Sequence, residues 1–131
     1  MSNFVLNAHS GLRYLILLGG VLTVLYATYG VASGRAYDKT IRILASAFAG
    51  TIHLQILLGL AMLLSGSGFQ PVLIGHISMM VFAAAAAQIP VSVMRRRPEE
   101  AKSILPHGIG ALVALALIAG GILAIRPSIF G

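Results

Sequence analysis

Residues 41–64 read IRILASAFAGTIHLQILLGLAMLL. From Ile43 to Leu64 the stretch carries no charged side chain. It has about the 20 residues a helix needs to cross the hydrocarbon core of a bilayer. Near its middle stands His53, followed by Gln55. An imidazole at that depth is costly unless it has a partner, so it marks a functional position by default. The reading of this stretch as a membrane span decides the fold, because three more like it follow from the same rule.

The other spans are predicted at residues 11–32 (GLRYLILLGGVLTVLYATYGVA), 71–94 and 104–125. Pro71 and Pro106 suit first helical turns. Pro90 predicts a kink near the far end of the third span. The connections are short: SGRAYDKT (33–40), SGSGFQ (65–70) and RRRPEEAKS (95–103). Short links make successive helices antiparallel neighbours. The expected architecture is therefore all-α: an integral membrane, up-down-up-down four-helix bundle, with residues 1–131 as one domain.

Composition agrees. Apolar residues make up 58% of the 131 residues and charged residues only 9%, against about 25% charged in a soluble domain. Mean hydropathy is +0.95. There is no cysteine, which excludes disulfides, thiolate metal sites, iron–sulfur clusters and covalent c-type haem attachment. The net charge of +6 reads as membrane topology rather than a nucleic-acid partner, because the basic residues flank apolar spans. Arg35, Lys39 and Arg42 surround the first connection; Arg95, Arg96, Arg97 and Lys102 surround the third. The positive-inside rule predicts these loops cytoplasmic, both termini outside, and residence in the inner (cytoplasmic) membrane. Arg13 and Arg126 fall near the opposite end, where they can snorkel. MSNFVLNAHSGLR lacks the early basic region of a signal peptide, so the first span is expected to be retained.

Each span carries one histidine: His9 just before the first, then His53, His76 and His107. A rise of about 1.5 Å per residue from the basic ends puts His9 roughly 35 Å up, His76 roughly 27 Å, His53 roughly 18 Å and His107 roughly 5 Å. Two axial imidazoles on a haem b iron need similar depths on facing helices. His9 and His76 match best, with His53/His76 the runner-up and His53/His107 the pair a second haem would require. Arg13 falls near the depth of His76 and suits a propionate, since guanidinium grips carboxylate in a bidentate fork. Met79 and Met80 follow His76 on the same helix face, so the soft set His76, Met79 and Met80 also suits Cu(I). Gln88 lies near the depth of His107, and the two together could hydrogen-bond a quinone at the cytoplasmic side. The small residues of the second, third and fourth spans admit tight helix packing or room for a flat cofactor. The acidic residues, Asp38, Glu99 and Glu100, all fall in the connections. No intramembrane carboxylate is therefore available for proton pumping or acid–base catalysis.

HSGLRYLILL (9–18), HLQILLGLAML (53–63) and GHISMM (75–80) resemble a group of small bacterial four-helix membrane proteins described as cytochrome b-like, akin to the b561 type. The resemblance covers the layout of all four spans and about a quarter of the chain in motif. It implies haem b binding, with the recurrent histidines of the first and third helices corresponding to His9 and His76. The b561 proteins proper hold two haems on opposite sides of the membrane; the uneven depths here favour one. The expected function is a haem-b cytochrome subunit passing electrons between an outer-side partner and quinone or a larger respiratory or photosynthetic complex. It would be an electron-transfer subunit rather than an autonomous enzyme, within a complex or a homo-oligomer. The alternative is a cofactor-free structural or anchor subunit whose histidines only bridge helices.

Overall fold

The computed structural model describes residues 2–67, 70–127 and 129. Four helices form: α1 (Ser2–Ala32), α2 (Lys39–Met62), α3 (Leu73–Arg96) and α4 (Leu105–Leu123). Among the described residues there is no strand. All four helices are long and apolar enough to cross a membrane. At most 39% of the most apolar window of any span is buried within the protein. The remaining apolar surface faces outward, as it must where the solvent is lipid.

The first helix begins well before residue 11, so His9 lies inside it rather than ahead of it. The polar dip at Asn7–Arg13 misplaces the boundary, because polarity does not break a helix and no proline interrupts the stretch. At its other end Gly34 adopts a left-handed φ of +69°. This lets the Arg35 N–H reach back to the Gly30 carbonyl at 2.8 Å, a turn that ends helices and favours glycine. The second helix runs on from Met62 into a π-helical turn, Leu63–Ser67. The third continues as a helix through Pro90.

Asp38 starts α2. Its carboxylate accepts from the Ile41 backbone N–H at 3.0 Å, satisfying a donor that the helix cannot. The Tyr26 hydroxyl donates to the same carboxylate, and Arg35 pairs with it at 3.3 Å. One side chain thus ties α1, the connection and α2 together. The Tyr26 hydroxyl and then the Ile41 amide hold the Asp38 carboxyl below the usual aspartate range. Its stabilisation is therefore complete above the unfolded-state value and is lost as pH falls through the lowered folded-state value. Asp38→Ala is expected to cost about 1 kcal/mol at neutral pH. Asp38→Asn should flatten the acid-side fall in melting temperature. Thermal unfolding in detergent followed by circular dichroism between neutral and acid pH checks both.

Around the bundle, α1 packs on α2 and α4, and α3 packs on α2 and α4. The second and fourth helices meet across one diagonal, leaving α1 and α3 as the pair held apart. The middle of the bundle is filled by Ile16, Phe48, Ile52, Ala83, Ala87, Ala114 and their neighbours. The buried alanines of α3 and α4 bring these helices close together, and none lines the large cavity described below. Tight packing, not space for a flat group, is what those stretches provide. The seven basic residues of the two long connections define one end of the bundle, here called the basic end. The start of α1 and the end of α4 lie at the other.

Candidate functional site

At the end opposite the basic loops the helices form an open cavity of about 640 Å³. This lies within the roughly 300–1,000 Å³ typical of cofactor and ligand sites. Its walls are mostly aliphatic, with Ile16, Ile52, Ile56, Met80, Ile118 and Ile122 among them. Into this apolar lining project His9 and Arg13 from α1, Gln55 from α2, His76 from α3, and Arg126 beyond α4.

His76 is oriented by α4. Its Nδ1 lies 2.7 Å from the Gly121 carbonyl oxygen. A carbonyl can only accept, so Nδ1 donates and Nε2 of the neutral ring keeps a lone pair. A backbone carbonyl on the far nitrogen is the usual support for a ligating histidine. Gly121 makes room for the methionines rather than the imidazole: a Cβ there would meet the Met80 ε-methyl at 2.4 Å and Met79 Cβ at 3.3 Å, but His76 Nδ1 only at 3.6 Å.

His9 comes from the opposite diagonal helix. Its ring lies beside Gly59 of α2, where a Cβ would stand 3.3 Å from Cε1. Its Nδ1 is buried and has no hydrogen-bond partner among the described residues. The Gln55 amide donates at 2.6 Å to the His9 backbone carbonyl, a bond made in addition to the helix ladder by an oxygen with two lone pairs. That contact fixes the His9 turn of α1 against α2. It leaves Gln55 Oε1 buried and unpaired among the described residues. Arg13 donates to the Tyr14 hydroxyl at 2.8 Å, while its Nε is buried without a partner among the described residues. Three buried polar atoms of the cavity's lining residues therefore lack the partner that buried polar groups normally have.

The other two histidines sit elsewhere. His53 faces outward from the α2–α3 seam, its Nε2 2.9 Å from Gln88 Oε1. It does not line the cavity, although a runner-up ligand role was expected of it. A helical turn explains the difference: Ile52, Gln55, Ile56 and Gly59 face the cavity, and His53 falls between them in sequence but on another side of the helix. His107, only 3% exposed, lies near the basic end with its ring centroid 5.7 Å from that of Tyr37. Neither of its nitrogens has a partner among the described residues. Gln88 is engaged by His53 and by Ser92.

The methionines divide as well. Met80 lines the cavity, but the Met79 sulfur packs where a Cβ on Gly120 would sit, 3.0 Å away. Met79, Met80 and His76 all approach Gly121 of α4: a Cβ there would lie 3.3 Å from Met79 Cβ, 2.4 Å from Met80 Cε and 3.6 Å from His76 Nδ1. Among the described residues no group of three or more His, Cys, Asp or Glu side chains is placed to hold a metal ion. The cavity offers at most two imidazoles, a donor set suited to a metal already bound in a macrocycle.

No protein family, curated protein or solved structure matches the chain. Sequence reasoning singled out His9, His76 and Arg13. It missed the parts played by Gly59, Gly121 and Arg126, which depend on neighbours from other helices.

Proposed function

We propose that this chain is a haem-b-binding membrane cytochrome subunit, with His9 and His76 as the residues that would hold the haem iron. The observation that carries the reading is the placement of these two imidazoles, from helices on the open diagonal, on one apolar cavity of about 640 Å³. The orientation of His76 by the Gly121 carbonyl fits such a group. Arg13 and Arg126, at the same end, would pair with its propionates. When bound, haem would supply one-electron transfer. The protein's own residues would fix the ligand orientation, exclude water and neutralise the carboxylates. By the positive-inside rule the cavity end faces away from the cytoplasm. Electrons would then pass between a partner on that side and a quinone or a larger complex.

The cofactor-free anchor remains the second reading. In its favour, His53 makes one interhelical hydrogen bond, and the buried alanines of α3 and α4 are used in packing. Against it stands the cavity itself, with two imidazoles and two guanidinium groups on one apolar lining, which an anchor does not need. A reduced-minus-oxidised absorption spectrum of the purified protein, with pyridine haemochrome quantification, separates the two. A b-type α-band with about one haem per chain is expected. A flat spectrum after expression with ample haem would sink the cytochrome reading. About two haems per chain would show that His9/His76 is not the whole site.

A further inference from the structure

The seam between α2 and α3 is closed in one half and open in the other. Near its middle His53 Nε2 lies 2.9 Å from Gln88 Oε1. Towards the basic end Ala45 and Ala49 of α2 and Ala87 and Val91 of α3 belong to one buried core. The helices are antiparallel, so levels on the cavity side can be counted from the His53–Gln88 bridge. Seven residues from it on each helix stand Leu60 and Val81, at one level about 10 Å further along. In a closed seam such a facing pair would cover each other. Here both line the cavity, and both stay half exposed, at 50% and 52%. Ile77, one turn on from Val81, also lines the cavity and is exposed. Side chains that line a cavity and are exposed as well mark its opening. The cavity therefore opens sideways between α2 and α3, through an aliphatic slot on a flank that faces lipid. Its other mouth, at the end of the bundle, carries the polar Gln70 and Arg126.

We infer that the slot between α2 and α3 is the entrance by which the cavity takes its ligand from the bilayer, the ligand being a flat amphiphile with carboxylates along one edge. The inference rests on the haem reading and adds to it the route. In a bilayer such a molecule keeps its carboxylates at the wet surface and its apolar body among the acyl chains. The cavity repeats that arrangement, with the Arg13 and Arg126 guanidinium groups towards the end of the bundle and aliphatic walls elsewhere. Sideways entry then needs no turning of the ligand and no exposure of its apolar body to water. Entry at the end of the bundle would drive that body first past the polar rim.

The test follows haemin uptake by the haem-free protein in vesicles, with haemin supplied from a second set of vesicles that carry it. Absorbance gives the rate and pyridine haemochrome assay the end-point. Leu60→Trp and Val81→Trp narrow the slot from either helix. Each should slow uptake about tenfold and leave the end-point within about twofold of the unsubstituted protein. Leu57→Trp, exposed on α2 and away from the cavity, should load at the unsubstituted rate. So should Leu6→Trp, which lines the cavity from the first turns of α1. Far-UV circular dichroism confirms that each variant compared is folded, and either slot variant suffices. Uptake by the slot variants as fast as by the unsubstituted protein overturns the route and leaves the haem reading standing. Equal slowing in Leu6→Trp, or a lowered end-point at an unchanged rate, overturns the route as well. Uptake by no protein, the unsubstituted one included, overturns the haem reading and the route together.

Discussion

His76→Ala is expected to lose haem at least tenfold while the bundle still folds and inserts. The size of the loss follows from removing an axial ligand, since disturbing only the support of a ligand already lowers affinity about 10–100-fold. The helices should tolerate the change. His76 is half-buried, and its one recorded hydrogen bond is to the Gly121 carbonyl. A bond of that kind contributes about 0.5–1.5 kcal/mol net, a minor part of a typical stability of about 5–15 kcal/mol. His53→Ala is the control. It makes the same chemical change on a neighbouring helix outside the cavity, and it should leave haem content per chain unchanged. Pyridine haemochrome assay, far-UV circular dichroism and detergent elution volume together read the outcome. Full haem retention in His76→Ala would remove this residue from the site. Equal loss in both variants would mean that haem depends on general bundle integrity rather than on the cavity.

The contrast between His53 and Gln55 shows what the sequence could and could not reveal. Span positions were readable because hydropathy and length are properties of a segment, and a bilayer imposes both. The rise per residue is constant, and His9 and His76, expected at similar depths, both line the same cavity. Direction around the helix was not readable. A soluble helix announces its buried side by amphipathic patterning, but a helix apolar all round gives no such signal. Two residues apart on α2, His53 therefore faces outward and Gln55 inward, and nothing in HLQ distinguishes them. Gly59 and Gly121 were hidden for a related reason. Each matters through a side chain of another helix, His9 in one case and Met80 with His76 in the other. Arg126 was readable only as a charge near a span end, since the cavity it lines is made by four helices together.

Gly110→Ala should be the most damaging small substitution, although alanine is intrinsically the better helix former by about 1 kcal/mol. The reason begins with Pro90. Its nitrogen has no hydrogen, so within α3 the Ala86 carbonyl lacks the donor that a residue four places on would normally supply. The fourth helix packs into this gap. A Cβ on Gly110 would lie 2.5 Å from the Ala86 carbonyl oxygen and 2.7 Å from Pro90 Cγ. One obstacle is backbone and the other a closed ring, so neither can swing aside by changing rotamer. The helices would have to separate, at a cost of about 1–3 kcal/mol or more for an overpacked site. Gly11→Ala provides the opposite expectation, because a Cβ there meets nothing within 4 Å. It should be neutral or stabilising by up to about 1 kcal/mol. Unfolding of each variant in mixed micelles, followed by circular dichroism, gives the two signs. If Gly110→Ala is as harmless as Gly11→Ala, the close approach of α3 and α4 is wrong. If it destabilises as expected, the damage should also reach the cavity. The His76–Gly121 bond joins the same two helices further along, so moving α4 away from α3 withdraws the carbonyl that orients the imidazole. A lower haem content in Gly110→Ala, with His9 and His76 both intact, would then report the positioning of the ligand rather than its presence.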